Sequence, residues 1–317
     1  MRLRRIELKH PLILAPLAGF TDLAFRRICR DFGIELTYTE MISAKGLLYG
    51  SDKSLDLLIN HEEEYPLGVQ LFGSELEDFK RALEILRKEK RFEALDINMG
   101  CPVKKVIRNG DGSYLMKDPE KVYHILKRLR EEMDETLSAK MRLGLSKASI
   151  NVLEVSQAAE EAGVDFLTVH GRTTDQLYSG TADWEKILEV KSQRKIPVFG
   201  SGDLFSYDDC KKRLDEGIDG LMLARGVLGN PFLIRELITG EKKPVTIKEK
   251  VETMLKHLDY YLEDKTKNGL VEFRAHLMHY LKGVRGGAAI RGRLASLNTK
   301  EELEGMLEEL VALDTSY

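Results

Sequence analysis

The stretch that decides the fold is Asp96-Ile97-Asn98-Met99-Gly100-Cys101-Pro102. The apolar run over residues 92–97 predicts a buried strand, and Gly100 and Pro102 predict a tight turn directly after it. Cys101 lies between these two turn formers, whereas cysteines that only fill a core lie in helices and strands. In a parallel α/β barrel, the loops that follow the strands carry the chemistry. The stretch therefore predicts a barrel with a functional thiol on one of its loops.

Apolar runs that can form buried strands recur through the first part of the chain. There are eight, over residues 12–15, 36–39, 67–71, 95–98, 139–142, 166–170, 198–201 and 221–224. Amphipathic stretches typical of helices lie between most of them, for example 21–32 with a threonine cap, 75–88, 120–132 and 150–162. Because a (β/α)8 barrel takes about 250 residues and no GxGxxG follows the first strand, we predict an α/β TIM barrel rather than a doubly wound sheet.

The pattern changes near residue 240. Residues 240–244, Gly-Glu-Lys-Lys-Pro, indicate a linker, and no candidate strand follows them. Thr246 with Glu249 and Thr299 with Glu302 have the spacing of capping boxes that open helices. We therefore predict a barrel domain over residues 1–240 and a smaller all-helical domain over 241–317.

The charges and cysteines exclude several classes of protein. Lys and Arg number 49 against 52 Asp and Glu, so any nucleic-acid contact must come from a local basic patch. Cys29, Cys101 and Cys210 form no CxxC pair, and we expect a reduced, cytoplasmic protein with neither disulfides nor a metal. The N-terminus lacks the apolar segment of a signal peptide, and no run reaches the roughly 18 apolar residues of a membrane span. We expect no membrane partner.

Polar residues end several predicted strands, and in a barrel these ends meet at one face. They are Asn98, Lys140, Arg142, His170 and Ser201, with Gln70 close to the end of its strand. Several such residues together predict a site.

Small residues follow the last two strands in Gly200-Ser201-Gly202-Asp203 and Ala224-Arg225-Gly226. They let backbone N–H groups approach a phosphate, and the loops after strands seven and eight are the usual barrel phosphate site. The alternative is that each loop is only a tight turn. Together the two loops favour phosphate binding.

Three side chains have alternative roles at this point. Lys140 is a Schiff-base nucleophile, a cation beside an electron-rich cofactor, or an exposed strand end. The Schiff-base role needs a depressed pKa, and Arg142 is close enough to lower it. His170 binds phosphate or substrate, or is a core histidine. Cys101 is a nucleophile, a proton donor or a filler; an ordinary thiol pKa near 8.5 favours the acid, unless Lys104 and Lys105 stabilise the thiolate.

Collinear motifs in the chain resemble one family. They are APLAGFTDLAFR at Ala15, VQLFG at Val69, DINMGCPVKKV at Asp96, KMRLG at Lys140, TVHGRTTDQLYSGTADW at Thr168, GSGD at Gly200 and LARGVLGNP at Leu223. The family is the tRNA-dihydrouridine synthases, flavoenzymes with an FMN-binding barrel and a C-terminal helical domain. The motifs cover nearly the whole barrel, and the Cys-Pro turn and the HGRT-to-ADW block are the most specific.

The resemblance implies a role for each site residue. Pro16, Leu17 and Ala18 line the flavin, Gln70 and Lys140 reach its ring, Asn98 lies beside the uracil or flavin, and His170, Ser201, Gly202, Asp203, Ala224 and Arg225 hold the ribityl chain and phosphate. Cys101 donates a proton to C5 of uracil after hydride addition at C6. Many members have asparagine in place of Ser201 and glycine in place of Ala224, which makes individual phosphate contacts less certain than the site.

The resemblance also implies tRNA as the partner, with the target base unstacked into the barrel mouth. We expect RNA or substrate contacts from cations on the barrel loops and on the helical domain, although a solvated helix face is the alternative. The barrel cations are Lys104, Lys105, Arg108, Arg142 and Arg172, and the helical ones are Arg274, Lys282, Arg285, Arg291 and Arg293.

The predicted function is reduction of tRNA uridine to dihydrouridine by FMN, with NADPH as reductant, in a monomeric enzyme. One alternative is an FMN-dependent dehydrogenase of a free pyrimidine or of dihydroorotate, which needs no basic helical domain. The other is an RNA-binding barrel without turnover, which has no use for Cys101.

Overall fold

Eight parallel strands close into a barrel in which each strand pairs with the next and the last pairs with the first. The structure is a computed structural model that describes residues 1–89, 92–264 and 269–315. An N-terminal hairpin, β1 and β2, precedes the barrel strands, β3 to β10. The strands are β1 (Arg2–Leu3), β2 (Ile6–Glu7), β3 (Leu12–Leu14), β4 (Leu36–Ser43), β5 (Leu67–Phe72), β6 (Ala94–Met99), β7 (Thr136–Met141), β8 (Phe166–His170), β9 (Val198–Ser201) and β10 (Gly220–Leu223). The predicted (β/α)8 barrel and its eight strands are confirmed.

The start of β6 differs from the prediction. Its ladder begins where Ala94 pairs with Gly68 of β5 and Thr136 of β7, two residues later than the start of the apolar run. Phe92 precedes the strand and is buried in the core instead. The strand then continues to Met99, so the turn with Cys101 follows it directly.

The N-terminal hairpin was not predicted. Its strands have two residues each, too few to produce a periodic pattern in the sequence. Leu3, Ile6 and Leu8 are nevertheless buried, and they pack in one cluster with inward-facing barrel residues such as Phe166 and Phe199. The hairpin therefore contributes to the core inside the barrel.

Helices connect most of the strands and form the C-terminal part. They are α1 (Leu23–Asp31), α2 (Ala44–Leu48), α3 (Asp52–Asp56), α4 (Leu76–Glu89), α5 (Lys104–Arg108), α6 (Pro119–Glu132), α7 (Val152–Glu161), α8 (Trp184–Gln193), α9 (Tyr207–Asp215), α10 (Phe232–Thr239), α11 (Ile247–Asp264), α12 (Gly269–Tyr280), α13 (Gly287–Arg293) and α14 (Lys300–Thr315). Among the described residues after 240 every regular element is helical, as predicted. No described helix is long and apolar enough to cross a membrane.

The predicted helix starts are partly confirmed. Thr246 and Glu249 exchange side-chain and backbone hydrogen bonds, as do Thr299 and Glu302, so both capping boxes form. The predicted threonine cap of α1 is wrong. The Asp22 carboxylate caps this helix by accepting a hydrogen bond from the Phe25 N–H, because Asp22 is one residue closer to the first turn than Thr21.

The C-terminal helices have their own hydrophobic core and pack on helix α1 of the barrel. Ala24 of α1 belongs to that second core rather than to the barrel core. Arg27 on the same helix pairs with Glu263 of α11 at 2.5 Å, and its guanidinium lies 3.8 Å above the Tyr260 ring. Helix α1 therefore joins the two parts of the molecule.

Candidate active site

A cleft opens at the carboxyl ends of the barrel strands. It holds about 1100 Å³ of space between atoms, counting the part open to solvent. All eleven predicted cofactor residues line it, namely Pro16, Leu17, Ala18, Gln70, Lys140, His170, Ser201, Gly202, Asp203, Ala224 and Arg225. Asn98, Cys101 and Arg142 line it as well. Residues up to 209 positions apart in sequence, Pro16 and Arg225, thus converge because the barrel brings its strand ends to one face.

The loop after β3 forms one wall of the cleft through Pro16, Leu17 and Ala18. Thr21 fixes this loop, since its hydroxyl accepts a hydrogen bond from Leu17 N–H at 2.8 Å and donates one to Ala15 C=O at 3.0 Å. The hydroxyl is fully buried. The threonine that was predicted as a helix cap therefore shapes the cleft instead.

The turn that carries Cys101 is held by Asn98. The amide oxygen of Asn98 accepts hydrogen bonds from the backbone N–H groups of Gly100 at 3.1 Å and Cys101 at 2.9 Å. On the other side, the carbonyl of Cys101 accepts a hydrogen bond from the Ser113 hydroxyl at 2.9 Å. The thiol thus lies on a turn whose backbone is fixed at both ends.

The Cys101 side chain is buried, with 6% of its surface exposed. Burial raises its pKa above the ordinary value, against the opposing effects of a hydrogen bond from the Val103 backbone N–H and of the nearby Arg142 and Lys140 cations. The thiol is therefore protonated at neutral pH. This favours the acid over the thiolate nucleophile among the predicted roles. Cys29 and Cys210, by contrast, are fully buried in helices α1 and α9.

A chain of buried hydrogen bonds runs beneath the cleft to this turn. Tyr38 Oη and Ser138 Oγ lie 3.2 Å apart, and Ser138 donates to Asp96 Oδ1 at 2.7 Å. Gln70 Nε2 donates to Asp96 Oδ2 at 2.7 Å, and Gln70 Oε1 accepts from Asn98 Nδ2 at 2.8 Å. Each amide is oriented by its neighbour. The Asp96 carboxylate therefore determines which way the amides of Gln70 and Asn98 point.

Asp96 is a buried residue of β6 for which no role was predicted. Its side chain is 1% exposed, and burial raises its pKa to about 6, despite hydrogen bonds from Ser138 and Gln70 and the charge of Lys140. A carboxylate in the middle of an apolar strand is a sequence signal for a buried polar network.

Lys140 is the penultimate residue of strand β7, and it is partly buried in the cleft. Burial and the charge of Arg142 lower the pKa of its ammonium group to about 8, while Asp96 and Cys101 act in the opposite direction. The group is therefore still mostly cationic at pH 7. This fits a cation beside an electron-rich cofactor, one of the three predicted roles.

His170 ends strand β8 and lines the cleft. Burial, together with the neighbouring Lys140 and Arg142 cations, lowers its pKa well below the ordinary value, so the imidazole is neutral. Its Nε2 atom is buried and has no hydrogen-bond partner within the described part of the chain. An unpartnered polar atom at the wall of a cleft suits a ligand that hydrogen-bonds to it.

The two predicted phosphate loops lie side by side. A Cβ at Gly226 would overlap the carbonyl oxygen of Leu204, and one at Gly200 would overlap the Trp184 ring. Gly202 has a φ of +123°, a conformation that favours glycine. The glycines are therefore required for the close approach of the loops, which is compatible with both the phosphate-binding and the tight-turn interpretation.

Arg172 is not placed as predicted. It was expected to contact RNA from a barrel loop, but only 1% of its surface is exposed. Its Nη2 atom donates to both oxygens of Asp203, at 2.8 and 2.7 Å, and to Gly180 C=O at 2.7 Å. The prediction of an RNA contact is wrong for this conformation, because the guanidinium is used to hold two loops together. The Asp203 carboxylate is likewise occupied by this ion pair.

Arg142 is also largely buried, at 4% exposure. Its Nε donates to Gly100 C=O at 2.9 Å, and its Nη1 donates to the carbonyls of Thr173 and Leu177 at 2.8 and 2.9 Å. It connects the turn of Cys101 to the loop after β8. Contact with a substrate in the cleft remains compatible with this position, whereas contact with distant RNA phosphates does not.

The remaining predicted cations differ in exposure. Lys104, Lys105 and Arg108 are exposed on α5, the short helix directly after the turn of Cys101. In the helical part, Arg285 and Arg293 are exposed, and Arg293 pairs with Glu309 at 2.7 Å. Arg274 and Arg291 are partly buried and donate to the carbonyls of Leu297 and Leu281. These two arginines stabilise the helical part, whichever other contact they make.

Several cleft residues were not predicted. Met41, Met222, Tyr178 and Phe205 line it, and the Arg225 guanidinium lies 4.4 Å from the Tyr178 ring centre and 5.2 Å from that of Phe205. The two rings are about half exposed. Tyr178 belongs to the HGRT-to-ADW block, so its motif was a signal, while Phe205 has no signal in the sequence.

Comparison with known proteins identifies the family to which the chain belongs. Residues 13–315 match the model of the dihydrouridine synthase (Dus) family. A probable tRNA-dihydrouridine synthase 1 of Synechocystis is 36% identical over 98% of this chain and 89% of its own length. The tRNA-dihydrouridine synthase B of Pasteurella multocida is 34% identical over 99% and 95%, and a probable tRNA-dihydrouridine synthase of Aquifex aeolicus is 33% identical over 98% of both chains.

Proposed function

The chain belongs to the dihydrouridine synthase family, and on that basis we propose that it reduces uridine in tRNA to 5,6-dihydrouridine at the cleft described above. It is a flavin-dependent oxidoreductase. The finer assignment is FMN as the bound flavin and NADPH as its reductant. The observation that carries the proposal is the protonated thiol of Cys101 in the same cleft as the Lys140 cation.

The cleft suits a flavin phosphate and a ribityl chain on its own geometry. His170 Nε2 is buried without a partner in the described residues, and a ribityl hydroxyl would satisfy it. The close-packed loops at Gly202 and Gly226 line the cleft with the Arg225 cation, and small residues there would let backbone N–H groups approach a phosphate. Ser201 and Ala224 complete this cradle in the proposed assignment, and Pro16, Leu17 and Ala18 cover the other face.

The chemistry needs one acid. The C5=C6 bond of uracil is conjugated to a carbonyl, so a hydride added at C6 leaves negative charge at C5 that must be protonated. When bound, a reduced flavin supplies that hydride. The Cys101 thiol gives its proton to C5, and the resulting thiolate lies near Arg142 and Lys140, which lower its energy. Water then restores the proton on the sulfur.

Asn98 and Gln70 contribute to this step because they position the Cys101 turn. Asn98 fixes the backbone of the Cys101 turn, and Gln70 fixes the amide of Asn98. Gln70 lines the cleft and keeps one N–H and one lone pair without a hydrogen bond to Asp96 or Asn98, and these would suit the flavin ring or the uracil edge. Their role is to hold the acid and the base in a reactive geometry.

A uridine within a folded RNA reaches such a cleft only when it leaves its stack. The exposed cations of α5, Lys104 and Lys105, lie directly after the Cys101 turn and suit the phosphates that flank the target. The helical part over residues 241–317 is proposed to bind the body of the tRNA through Arg285 and Arg293.

The test is an assay on tRNA that lacks dihydrouridine. The purified protein is expected to show a flavin spectrum and to form dihydrouridine with NADPH, and Cys210→Ala is expected to retain this activity. A flavoprotein that reduces free uracil, or oxidises dihydroorotate, but does not act on tRNA would replace the proposal with a free-pyrimidine dehydrogenase. Absence of flavin together with tRNA binding would replace it with a non-catalytic RNA-binding barrel.

A further inference from the structure

Three potential metal ligands meet where the barrel joins the C-terminal helices, outside the cleft. They are Asp22, at the start of α1, His257 on α11 and His276 on α12, and one ligand atom from each lies within 4.8 Å of the others. Both histidines are buried, at 0% and 3% exposure, and the Asp22 side chain is 18% exposed. None of the three lines the cleft, and the reaction proposed above does not use them.

Two of the ligands are already in place. Asp22 Oδ2 and His276 Nε2 lie 3.1 Å apart, and Asp22 Oδ1 is held by the N–H of Phe25. Two ligands about 2.0–2.1 Å from a tetrahedral metal lie roughly 3.3 Å from each other. This pair therefore matches the spacing, and the third ligand has to approach by at most about 1.5 Å.

The third ligand has a nitrogen without a partner. His257 Nδ1 lies 3.2 Å from the hydroxyl of Tyr280, while His257 Nε2 is buried and accepts or donates no hydrogen bond among the residues that the structure describes. When Nδ1–H donates to Tyr280, the lone pair is on Nε2. Metal-ligating histidines are usually held in this way, by a hydrogen bond from the second ring nitrogen.

The surroundings favour a cation over an empty polar pocket. Phe273 lies edge-on to His257 at 4.9 Å, and Phe25 lies 5.6 Å from His276, so the cluster is enclosed by apolar rings. A carboxylate beside these rings is poorly solvated, and a compensating positive charge stabilises it.

We propose that Asp22, His257 and His276 bind one Zn²⁺ ion at the junction of the barrel and the C-terminal helices. Two imidazoles and a carboxylate are a donor set that Zn²⁺ prefers, whereas Ca²⁺ and Mg²⁺ prefer oxygen ligands alone. A water molecule takes the fourth position. The ion ties α1 to two helices more than 200 positions away, so its role is to fix how the helical part sits on the barrel.

The first experiment is metal binding by the full-length protein, stripped with a chelator and dialysed against ZnCl2. We expect about one Zn²⁺ per chain by mass spectrometry, and a melting temperature that rises with Zn²⁺ and falls with EDTA. Substitution with Co²⁺ is expected to give the intense visible spectrum of a tetrahedral site. Substoichiometric zinc, or a weak octahedral Co²⁺ spectrum, would overturn the proposal and leave an Asp22–His276 ion pair alone.

Two variants are designed to keep the fold. Asn remains a good N-cap, so Asp22→Asn removes a charged ligand while it preserves the start of α1, and His257→Phe keeps a ring in the aromatic cluster. Each is expected to weaken Zn²⁺ binding at least tenfold and to abolish the zinc-dependent shift in melting temperature. His279→Ala is the matched control, because His279 is on the same helix as His276 but outside the cluster.

Wild-type zinc affinity in either variant would contradict the assignment. Circular dichroism establishes that each variant is folded. If one is not, the Co²⁺ spectrum of the wild-type protein decides the question by itself. Flavin content and dihydrouridine formation are measured in parallel, so a failure of the proposed reaction is distinguished from a failure of the metal site.

Discussion

Asn98 holds the backbone N–H of Cys101 with its side-chain oxygen at 2.9 Å, although the two residues are on different elements, one in strand β6 and the other in the turn after it. The amide of Asn98 is in turn oriented by Gln70. The backbone of the turn is therefore held by hydrogen bonds that do not involve the sulfur atom. Loss of the thiol and loss of its support are consequently separable by mutation.

Cys101→Ala should retain flavin and lose turnover. The substitution removes the acid but not the backbone hydrogen bonds of the turn, so we expect a decrease in kcat of about 10²–10⁴-fold with unchanged flavin content. Dihydrouridine formation under single-turnover conditions measures the loss. Cys210→Ala, which removes a buried thiol from α9, is the control. Loss of flavin from Cys101→Ala would mean that the thiol supports the cofactor instead.

Asp96→Asn should disturb the amides above it. The substitution removes the negative charge that Gln70 and Ser138 donate to. If the new NH2 group faces Gln70 Nε2 it meets a donor, and rotation of Gln70 to avoid it would oppose Asn98 Nδ2; if it faces Ser138, that hydroxyl has to accept from it and donate to Tyr38 instead. We expect kcat to fall about tenfold to a hundredfold with little change in KM for tRNA. Ser138→Ala removes a single donor and is expected to cost less. Equal decreases in kcat in the two variants would show that the hydrogen-bond chain does not transmit a change at Asp96 to the amides of Gln70 and Asn98.

The affinity for FMN should decrease at high pH because of Lys140. Its pKa of about 8 means that the flavin-free protein loses this cation as the pH rises through 8. If the bound flavin stabilises the charge, the Kd for FMN rises above about pH 8 by at most tenfold per pH unit. Lys140→Arg should move this rise to much higher pH, because a guanidinium stays protonated. A Kd for FMN that is independent of pH between 7 and 9.5 would show that the charge of Lys140 does not contribute to flavin binding.

Gly226→Ala should separate the two loops of the phosphate cradle. Its methyl group would overlap the backbone oxygen of Leu204, which cannot move without its loop. We expect a loss of about 1–3 kcal/mol in stability, measured by urea unfolding, and a weaker Kd for FMN. Gly305→Ala is the matched control, because a Cβ there meets no atom within 4 Å. Unchanged FMN affinity in Gly226→Ala would favour the tight-turn interpretation.

The cations of α5 should determine part of the salt dependence of tRNA binding. If Lys104 and Lys105 each neutralise a phosphate, the double variant to Gln flattens the slope of log K against log salt by roughly 0.7–0.9 per residue. Lys211→Gln with Lys212→Gln is the control, because these lysines are on α9 and pair with Asp215 and Glu216. Binding of unmodified tRNA is measured at several salt concentrations. An unchanged slope would mean that Lys104 and Lys105 face solvent and do not neutralise tRNA phosphates.

The sequence was sufficient to predict the barrel and most of the polar residues that line the cleft. Asn98, Lys140 and His170 come at or next to the ends of apolar runs, and a barrel has only one face where such ends can meet. The burial of Arg172 was not predictable, because its partner Asp203 is 31 residues away in another loop. Exposure of a charged side chain depends on contacts that no local pattern contains.

The same limit applies to the junction of the two parts. Asp22 and His276 are separated by 254 positions, and neither belongs to a motif with metal-ligand spacing. The expectation of no metal was based on the cysteines alone. Only the packing of α1 against the C-terminal helices brings these two side chains together.

Trp184 packs against Gly200 and donates a hydrogen bond from its indole N–H to the carbonyl of Gly202 at 3.0 Å, and it is the single tryptophan of the chain. Its indole therefore lies directly behind the proposed flavin phosphate loop. Tryptophan emission overlaps flavin absorption, so a bound flavin would quench this one fluorophore by energy transfer. The protein consequently carries its own optical reporter of cofactor occupancy, and no label has to be introduced.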